Sequence, residues 1–94
     1  MVIVQHLVWD EWNIDHIAHH GVEPKQVKEV CHGDHVIRET YGGRLMIIGQ
    51  TKDGKLLAIV LAPKDKGVYY PVTAYVASGK LRHIYYLEKG KEKL

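Results

Sequence analysis

The segment from Lys55 to Ala62 constrains the fold of this chain more than any other feature. After its first residue it is apolar throughout, so a strand here would present no polar face to water. Such a strand belongs in the middle of a sheet, with both of its faces covered. Turn residues bound it on either side, Asp53-Gly54 before it and the segment from Lys64 to Gly67 after it. The segment therefore predicts a central strand.

Further strands and helices are predicted from hydrophobic spacing, capping residues and turn residues. Strands alternate apolar and β-branched positions, whereas helices carry apolar residues three and four positions apart. The first helix has the clearest boundaries, because Asp10 can cap its N-terminus and Gly21 can end it. The predicted strands cover residues 2–8, 36–41, 44–51 and 68–76, and the predicted helices cover about residues 11–20, 24–32 and 79–87.

The order of these elements predicts an α+β fold. It consists of two N-terminal helices, an antiparallel β-sheet meander and a C-terminal helix, and we expect the helices to be packed on one sheet face. Pro71 lies inside the last strand, where it cannot donate a ladder hydrogen bond, so it predicts a sheet edge or a β-bulge. With 94 residues the chain is predicted to form a single domain, residues 1–94, around one modest core.

The composition argues against several classes of protein. No apolar run reaches the roughly 18 residues of a membrane span, so no membrane association is expected. The first residues carry no basic charge and precede no small-residue cleavage site, which argues against a signal peptide. Cys31 is the only cysteine, so an internal disulfide is ruled out, and its apolar neighbours Val27 and Val30 predict that it is buried. We therefore expect a cytoplasmic protein.

Charge is distributed unevenly along the chain. Residues 1–44 contain four Lys or Arg against seven Asp or Glu, whereas residues 45–94 contain nine against four. A basic C-terminal half is typical of a phosphate-binding surface, and a Lys-rich solvated surface has the same composition. Charge alone therefore leaves both interpretations open.

Short motifs follow one another in a characteristic order along nearly the whole chain. Trp9-Asp10, Asn13 and then His20-Gly21-Val22 come first, and a second short helix follows them. The strand from Arg44 to Gly49 reads Arg-Leu-Met-Ile-Ile-Gly and leads into a hairpin through Asp53-Gly54. This order resembles the BrnT family, small ribonuclease toxins of bacterial type II toxin–antitoxin systems. The resemblance implies a RelE-like toxin architecture.

The C-terminal part of the resemblance departs from the family at two positions. The family's Ile-Ser-Ala-Arg-x-Ala segment corresponds to residues 72–77, and its helix with Glu-Arg and a later Tyr corresponds to Leu81-Arg82 and Tyr85. Tyr75 therefore stands where the family has arginine, and Leu81 stands where it has glutamate. These departures keep an alternative open, a catalytically inactive relative that acts as an RNA- or protein-binding module.

The resemblance implies a metal-independent endoribonuclease that needs no cofactor and is neutralised by a cognate DNA-binding antitoxin. RNA is cleaved when its 2′-OH attacks the adjacent phosphate, so cations must stabilise the phosphorane and other groups must move two protons. Arginine suits the first task because its planar guanidinium pairs with phosphate oxygens and stays charged.

The candidate catalytic residues are Arg44 and Arg82 as a phosphate clamp, His20 for proton transfer and Tyr75 for stacking or proton donation. The candidate RNA-binding residues are Lys80, Lys55 and His83, the last also a candidate for proton transfer. A toxin–antitoxin hetero-oligomer or a homodimer is the expected assembly.

These residues also have structural interpretations. His20 precedes a helix-ending glycine, where a positive imidazole suits the helix dipole, and tyrosines on element faces are more often packing residues than base platforms. His16 and His20 have the spacing of two metal ligands on one helix face, but no Cys-x-x-Cys or His-Glu-x-x-His pattern accompanies them. A small metal-binding regulator is therefore a third hypothesis, and no metal site is assigned.

Overall fold

The apolar segment that predicts a central strand is the middle strand of a five-stranded sheet. The structure is a computed structural model and describes residues 3–92. In chain order the elements are β1 (His6–Leu7), α1 (Glu11–Ala18), α2 (Pro24–Cys31), β2 (His35–Glu39), a 3-10 turn (Tyr41–Gly43), β3 (Leu45–Gln50), β4 (Leu56–Asp65), β5 (Val68–Val76) and α3 (Gly79–Glu92). The strands are ordered β1-β5-β4-β3-β2, so β4 has two strands on either side. The prediction of a central strand is confirmed.

Four strands form the expected antiparallel meander, and the first strand makes the sheet mixed. β2 pairs with β3, β3 with β4 and β4 with β5, all in antiparallel orientation. β1 pairs in parallel with the start of β5, with His6 opposite Val68 and Leu7 opposite Tyr69. It is shorter than the predicted strand over residues 2–8, because the chain leaves the sheet after Leu7 to enter α1. Val2 lies outside the described residues.

The helices lie on both faces of the sheet, so the expectation that they share one face is wrong. α1 and α2 pack on the face that presents Ile47 and Ile59. α3 packs on the opposite face, where Tyr85 contributes to a second core cluster with Ile48 and Ala58. Side chains alternate between the two faces along a strand, and β4 is apolar on both. The second helical layer therefore covers apolar surface that a single layer would leave in water.

The C-terminal helix α3 is longer than predicted, since it continues beyond Leu87 to Glu92. Its inward side carries Leu81, Ile84 and Tyr85, whereas Tyr86 is 47% exposed. Further along the helix, Glu88 pairs with Arg38 of β2 at 2.9 Å. Neither this helix nor any other in the described part of the chain is long and apolar enough to cross a membrane.

Pro71 lies at the kind of irregularity that the sequence predicts. Leu61 faces Pro71 and Val60 faces Thr73, so Val72 is an extra residue in β5 and forms a β-bulge. The short strand β1 pairs with β5 only at residues 68 and 69, and Pro71 lies beyond that pairing. The missing N–H of the proline is therefore tolerated at a bulge on a free edge.

The motif that opens the resemblance has a structural role in this chain. The Asp10 carboxylate accepts a hydrogen bond from the Asn13 N–H, and the Asn13 side chain accepts one from the Asp10 N–H, both at 2.9 Å. Asn13 is fully buried, and its side-chain amide donates to the carbonyls of Val8 at 3.0 Å and Pro71 at 3.2 Å. The motif therefore caps α1 and attaches its first turn to β5.

Cys31 is expected to resist thiol reagents in the folded protein. It is buried, as predicted, and burial raises the pKa of its thiol to about 12 from an ordinary value of 9.0. Because the reactive thiolate is scarce at about pH 8, labelling by a disulfide reagent should follow only unfolding. Because the unfolded thiol ionises at lower pH than the folded one, this shift also lowers stability as the pH rises from about 9 to about 12. Labelling of the native protein as fast as in concentrated urea would contradict this prediction.

Candidate functional site

The sheet face that carries α3 is covered by the helix at only one end. Ile48 and Ala58 are buried beside α3. In the next cross-strand row, Met46, Val60 and Thr73 lie side by side and are only half-buried. We call the uncovered part of this face the open face; it consists of Arg44, Met46, Val60, Ala62 and Thr73.

Arg44 lies at the border of the open face, where β3 begins. The turn before it contains Gly42 and Gly43 with φ of 67° and 77°, a left-handed conformation that glycine adopts without strain. Arg44 itself is extended, with φ of −70° and ψ of 152°, so strand alternation places its side chain on the same face as Met46. The side chain is exposed and forms no ion pair with any described residue. Its guanidinium is therefore available to bind an anion.

A row of four rings follows another border of the open face. Trp12 stacks on His16, with ring centroids 4.9 Å apart and an interplanar angle of 6°. His16 meets His20 edge to face at 5.4 Å, and the ring of His20 lies 6.2 Å from that of Tyr75 on β5. We call Trp12, His16, His20 and Tyr75 the ring row.

The ring row adjoins the open face through His16. Its Nε2 atom forms a hydrogen bond with the Thr73 hydroxyl at 3.2 Å. Successive contacts of α1 therefore lie further along β5, from Asn13 at Pro71 to His16 at Thr73. The helix thus runs beside the free edge of β5, with its imidazoles next to the open face.

Lys55 lies beside the end of the ring row. Its Nζ atom donates to the carbonyl of Gly21, the residue that follows His20, at 3.0 Å. An ammonium group has three N–H donors, so this contact leaves donors for an anion. Three of the residues predicted from the sequence, His20, Tyr75 and Lys55, are thus gathered where α1 ends.

Three further predicted residues lie on α3: Arg82, Lys80 and His83. Arg82 lies over the ring of Tyr86 at 5.2 Å, and the Tyr86 hydroxyl accepts a hydrogen bond from Gln50 at the end of β3. Arg44 precedes the first residue of the same strand, so about 20 Å of β3, at about 3.4 Å per residue, separates Arg44 from Gln50, the end of the strand near Arg82. Such a separation does not suit a clamp on a single phosphate. The two remaining candidates are exposed residues of α3, Lys80 and His83.

Three residues of the site are not among those predicted for it from the sequence. Trp12 and His16 lie eight and four positions before His20, and this spacing places side chains on one helix face. This spacing could therefore have predicted a row of rings, in addition to being interpreted as the spacing of metal ligands. No local feature of the sequence predicts a role for Thr73, because its contact with His16 joins residues 57 positions apart.

The arrangement is suited to proton transfer beside a bound phosphate. Imidazole exchanges protons near neutral pH, and the side chain of His20 is exposed. The hydroxyl of its neighbour Tyr75 can donate or accept a hydrogen bond. Arg44 supplies a cation at another border of the open face. Among residues 3–92 no group of three His, Cys, Asp or Glu side chains has an arrangement that could hold a metal ion.

The fold is similar to that of a known toxin. No protein-family model matches the chain, and no curated protein sequence matches it. The structure resembles the crystal structure of the ribonuclease toxin BrnT from Brucella abortus with a TM-score of 0.64, covering 79% of this chain and 97% of that chain. The two sequences are 22% identical, so the similarity concerns the fold. The chain therefore has a BrnT-like α+β fold, as the sequence resemblance implies.

Proposed function

We propose that this chain is a BrnT-like toxin, a cytoplasmic and metal-independent endoribonuclease that a cognate antitoxin neutralises. The observation that carries this proposal is the similarity of its fold to that of a ribonuclease toxin. The placement of His20 and Tyr75 beside the open face supports it, because an imidazole and a phenol hydroxyl there can exchange protons with one phosphodiester. RNA is thus the proposed substrate.

In the proposed reaction the 2′-OH of RNA attacks the adjacent phosphorus atom. His20 accepts the proton of the 2′-OH, and the oxygen–phosphorus bond to the 5′ oxygen breaks. The 5′ oxygen then needs a proton, for which the hydroxyl of Tyr75 is the nearest O–H donor to His20 in the ring row. Lys55, which lies beside the end of the ring row, supplies a cation for the negative charge that develops on the phosphorane, and Arg44 binds a phosphate further along the RNA strand.

The proposed antitoxin acts by covering the open face. An inhibitor that lies over Met46, Val60 and Thr73 would bury half-exposed apolar surface and exclude the phosphate from Arg44. The DNA-binding character of this partner comes from the sequence resemblance. A toxin–antitoxin hetero-oligomer is therefore the proposed assembly.

The test is cleavage of a mixed RNA pool by the purified protein in EDTA. We expect wild-type cleavage to persist in the chelator and Arg44→Ala to reduce its rate about 10-fold at subsaturating RNA, because a cation that binds the RNA backbone is lost. Lys25→Ala is the matched control, since it removes an exposed cation of α2 without touching the open face. Arg82→Ala separates the two arginines: a reduction as large as that for Arg44→Ala would show that the RNA path crosses α3. Loss of cleavage in EDTA that Mg²⁺ restores would contradict metal independence.

The second candidate function is an inactive relative that binds RNA or protein without cleaving it. The observation in its favour is the separation of Arg44 from Arg82, together with Leu81 at the position of the family's glutamate. Salt-sensitive RNA binding by a folded protein that leaves the RNA intact would favour it over the toxin.

A further inference from the structure

The outward surface of α1 combines exposed apolar side chains with carboxylates. Trp12 is 58% exposed and Ile14 is 42% exposed, although both are large hydrophobic residues. Together with Asp10, Glu11 and Asp15 they line an open depression of about 880 Å³. We call these five residues the α1 patch. Exposed apolar surface with a polar border is typical of interaction sites. We therefore expect the α1 patch to bind a partner.

The α1 patch is acidic and lies in a part of the chain without lysine or arginine. The first Lys or Arg in the sequence is Lys25, so no cation on α1 neutralises the three carboxylates. Asp10 is engaged by the capping bond and by the Tyr70 hydroxyl. Asp15 has only an exposed contact with His19 at 3.8 Å, and Glu11 forms no ion pair with any described residue. Two carboxylates therefore remain available to a cationic ligand.

Trp12 is placed to receive a cation beside one of these carboxylates, Asp15. One face of its indole ring lies on His16, and the exposed remainder of the side chain is turned to solvent. A guanidinium or ammonium group stacks favourably on an indole face, and Asp15, three positions after Trp12, lies on the same side of the helix, with Glu11 four positions before Asp15 on the same stripe. A carboxylate within reach of a stacked guanidinium adds a charge-assisted hydrogen bond.

We propose that the α1 patch docks a basic and apolar segment of another protein. An arginine or lysine of that segment lies on Trp12 and pairs with the carboxylates of Asp15 and Glu11 beside it, and a further apolar side chain packs against Ile14. Charge complementarity selects this occupant over RNA, because the phosphates of RNA would approach three carboxylates. The inference goes beyond the proposed ribonuclease activity and does not rest on it, since no step of RNA cleavage uses the α1 patch.

The test is binding of a fluorescein-labelled peptide of alternating Leu and Arg, followed by anisotropy at about 0.15 M salt. We expect saturable binding that Glu11→Gln/Asp15→Asn weakens at least about 10-fold and that Trp12→Ala weakens by a similar factor. The matched control is Glu29→Gln/Glu39→Gln, which changes the net charge equally but away from the α1 patch. This control should weaken binding less than about twofold, and circular dichroism should show that all variants are folded.

Several results would overturn the proposal. Equal weakening by the two double variants would mean that the peptide responds only to net charge. Absence of wild-type binding to the Leu/Arg peptide would remove the partner class, and equal binding of a Leu/Glu peptide would remove the role of the carboxylates. If Trp12→Ala weakened the binding of a labelled single-stranded RNA but not that of the peptide, Trp12 would be assigned to nucleic-acid binding instead. RNA cleavage is measured separately, so failure of the ribonuclease proposal leaves this test intact.

Discussion

Replacing Asn13 with alanine is expected to lower the free energy of unfolding by about 3 kcal/mol. The side chain forms three hydrogen bonds, one with the Asp10 N–H and two with the carbonyls of Val8 and Pro71. Asn13 is fully buried, so alanine leaves the Pro71 carbonyl without its partner in a buried position, and leaves the Asp10 N–H and the Val8 carbonyl without theirs in partly buried positions. The free energy of unfolding falls for two reasons. The helix cap loses one of its hydrogen bonds, and α1 loses its hydrogen bond to β5.

Urea denaturation followed by far-ultraviolet circular dichroism measures this loss. The control is Ile14→Ala on the same helix, which removes a 42% exposed side chain and should change stability by no more than about 0.5 kcal/mol. A loss below about 1 kcal/mol for Asn13→Ala would mean that the hydrogen bonds to Val8 and Pro71 contribute little. An altered urea dependence in the variant would instead indicate a change in the unfolded ensemble.

The antiparallel meander from β2 to β5 could be predicted from local sequence because its signals are short-ranged, whereas the parallel pairing of β1 with β5 could not. The apolar run from Lys55 to Ala62 predicts a central strand, and the limits of β5 at Val68 and Val76 match the prediction. Pro71 marks a bulge for a reason contained in the residue itself, its missing N–H. Such features depend on a few neighbouring residues, so the sequence alone contains them.

The position of α3 could have been predicted from the same apolar run. Ile47 and Ile59 are buried on one face, whereas Ile48 and Ala58 are buried on the other. A sheet whose central strands are apolar on both sides needs a layer on each face, so helices on one face conflict with the pattern of β4. The order of the elements fits a fold with helices on one face of the sheet. The apolar side chains on both faces of β4, however, require helices on both faces.

The candidate site depends on contacts that local sequence does not determine. His20 and Tyr75 meet because α1 lies along the free edge of β5, and that placement rests on the hydrogen bond from Asn13 to Pro71. Arg44 and Arg82 are both cations near predicted elements, yet β3 separates them. Residue type could therefore identify candidates, whereas the fold decides which of them can act on one substrate.

Replacing His20 with alanine is expected to reduce RNA cleavage at least about 100-fold if the ring row carries proton transfer. Its imidazole is exposed, lies 6.2 Å from the Tyr75 ring, and contacts His16, which adjoins the open face through Thr73. Tyr75→Phe should have a smaller effect, about 10-fold, because it removes a hydroxyl but keeps the ring and its packing. The measurement is the initial rate of cleavage in EDTA at saturating RNA, with each variant checked for unchanged circular dichroism.

The matched control is His32→Ala, because His32 is an exposed histidine at the end of α2, away from the open face. It should retain cleavage within about threefold of wild type. Retention of full activity by His20→Ala would exclude His20 from proton transfer. A loss confined to His16→Ala would instead assign the proton to the imidazole bonded to Thr73, since that ring is the one in direct contact with the open face. The pattern among His16, His20 and His32 therefore decides which imidazole faces the reacting phosphate.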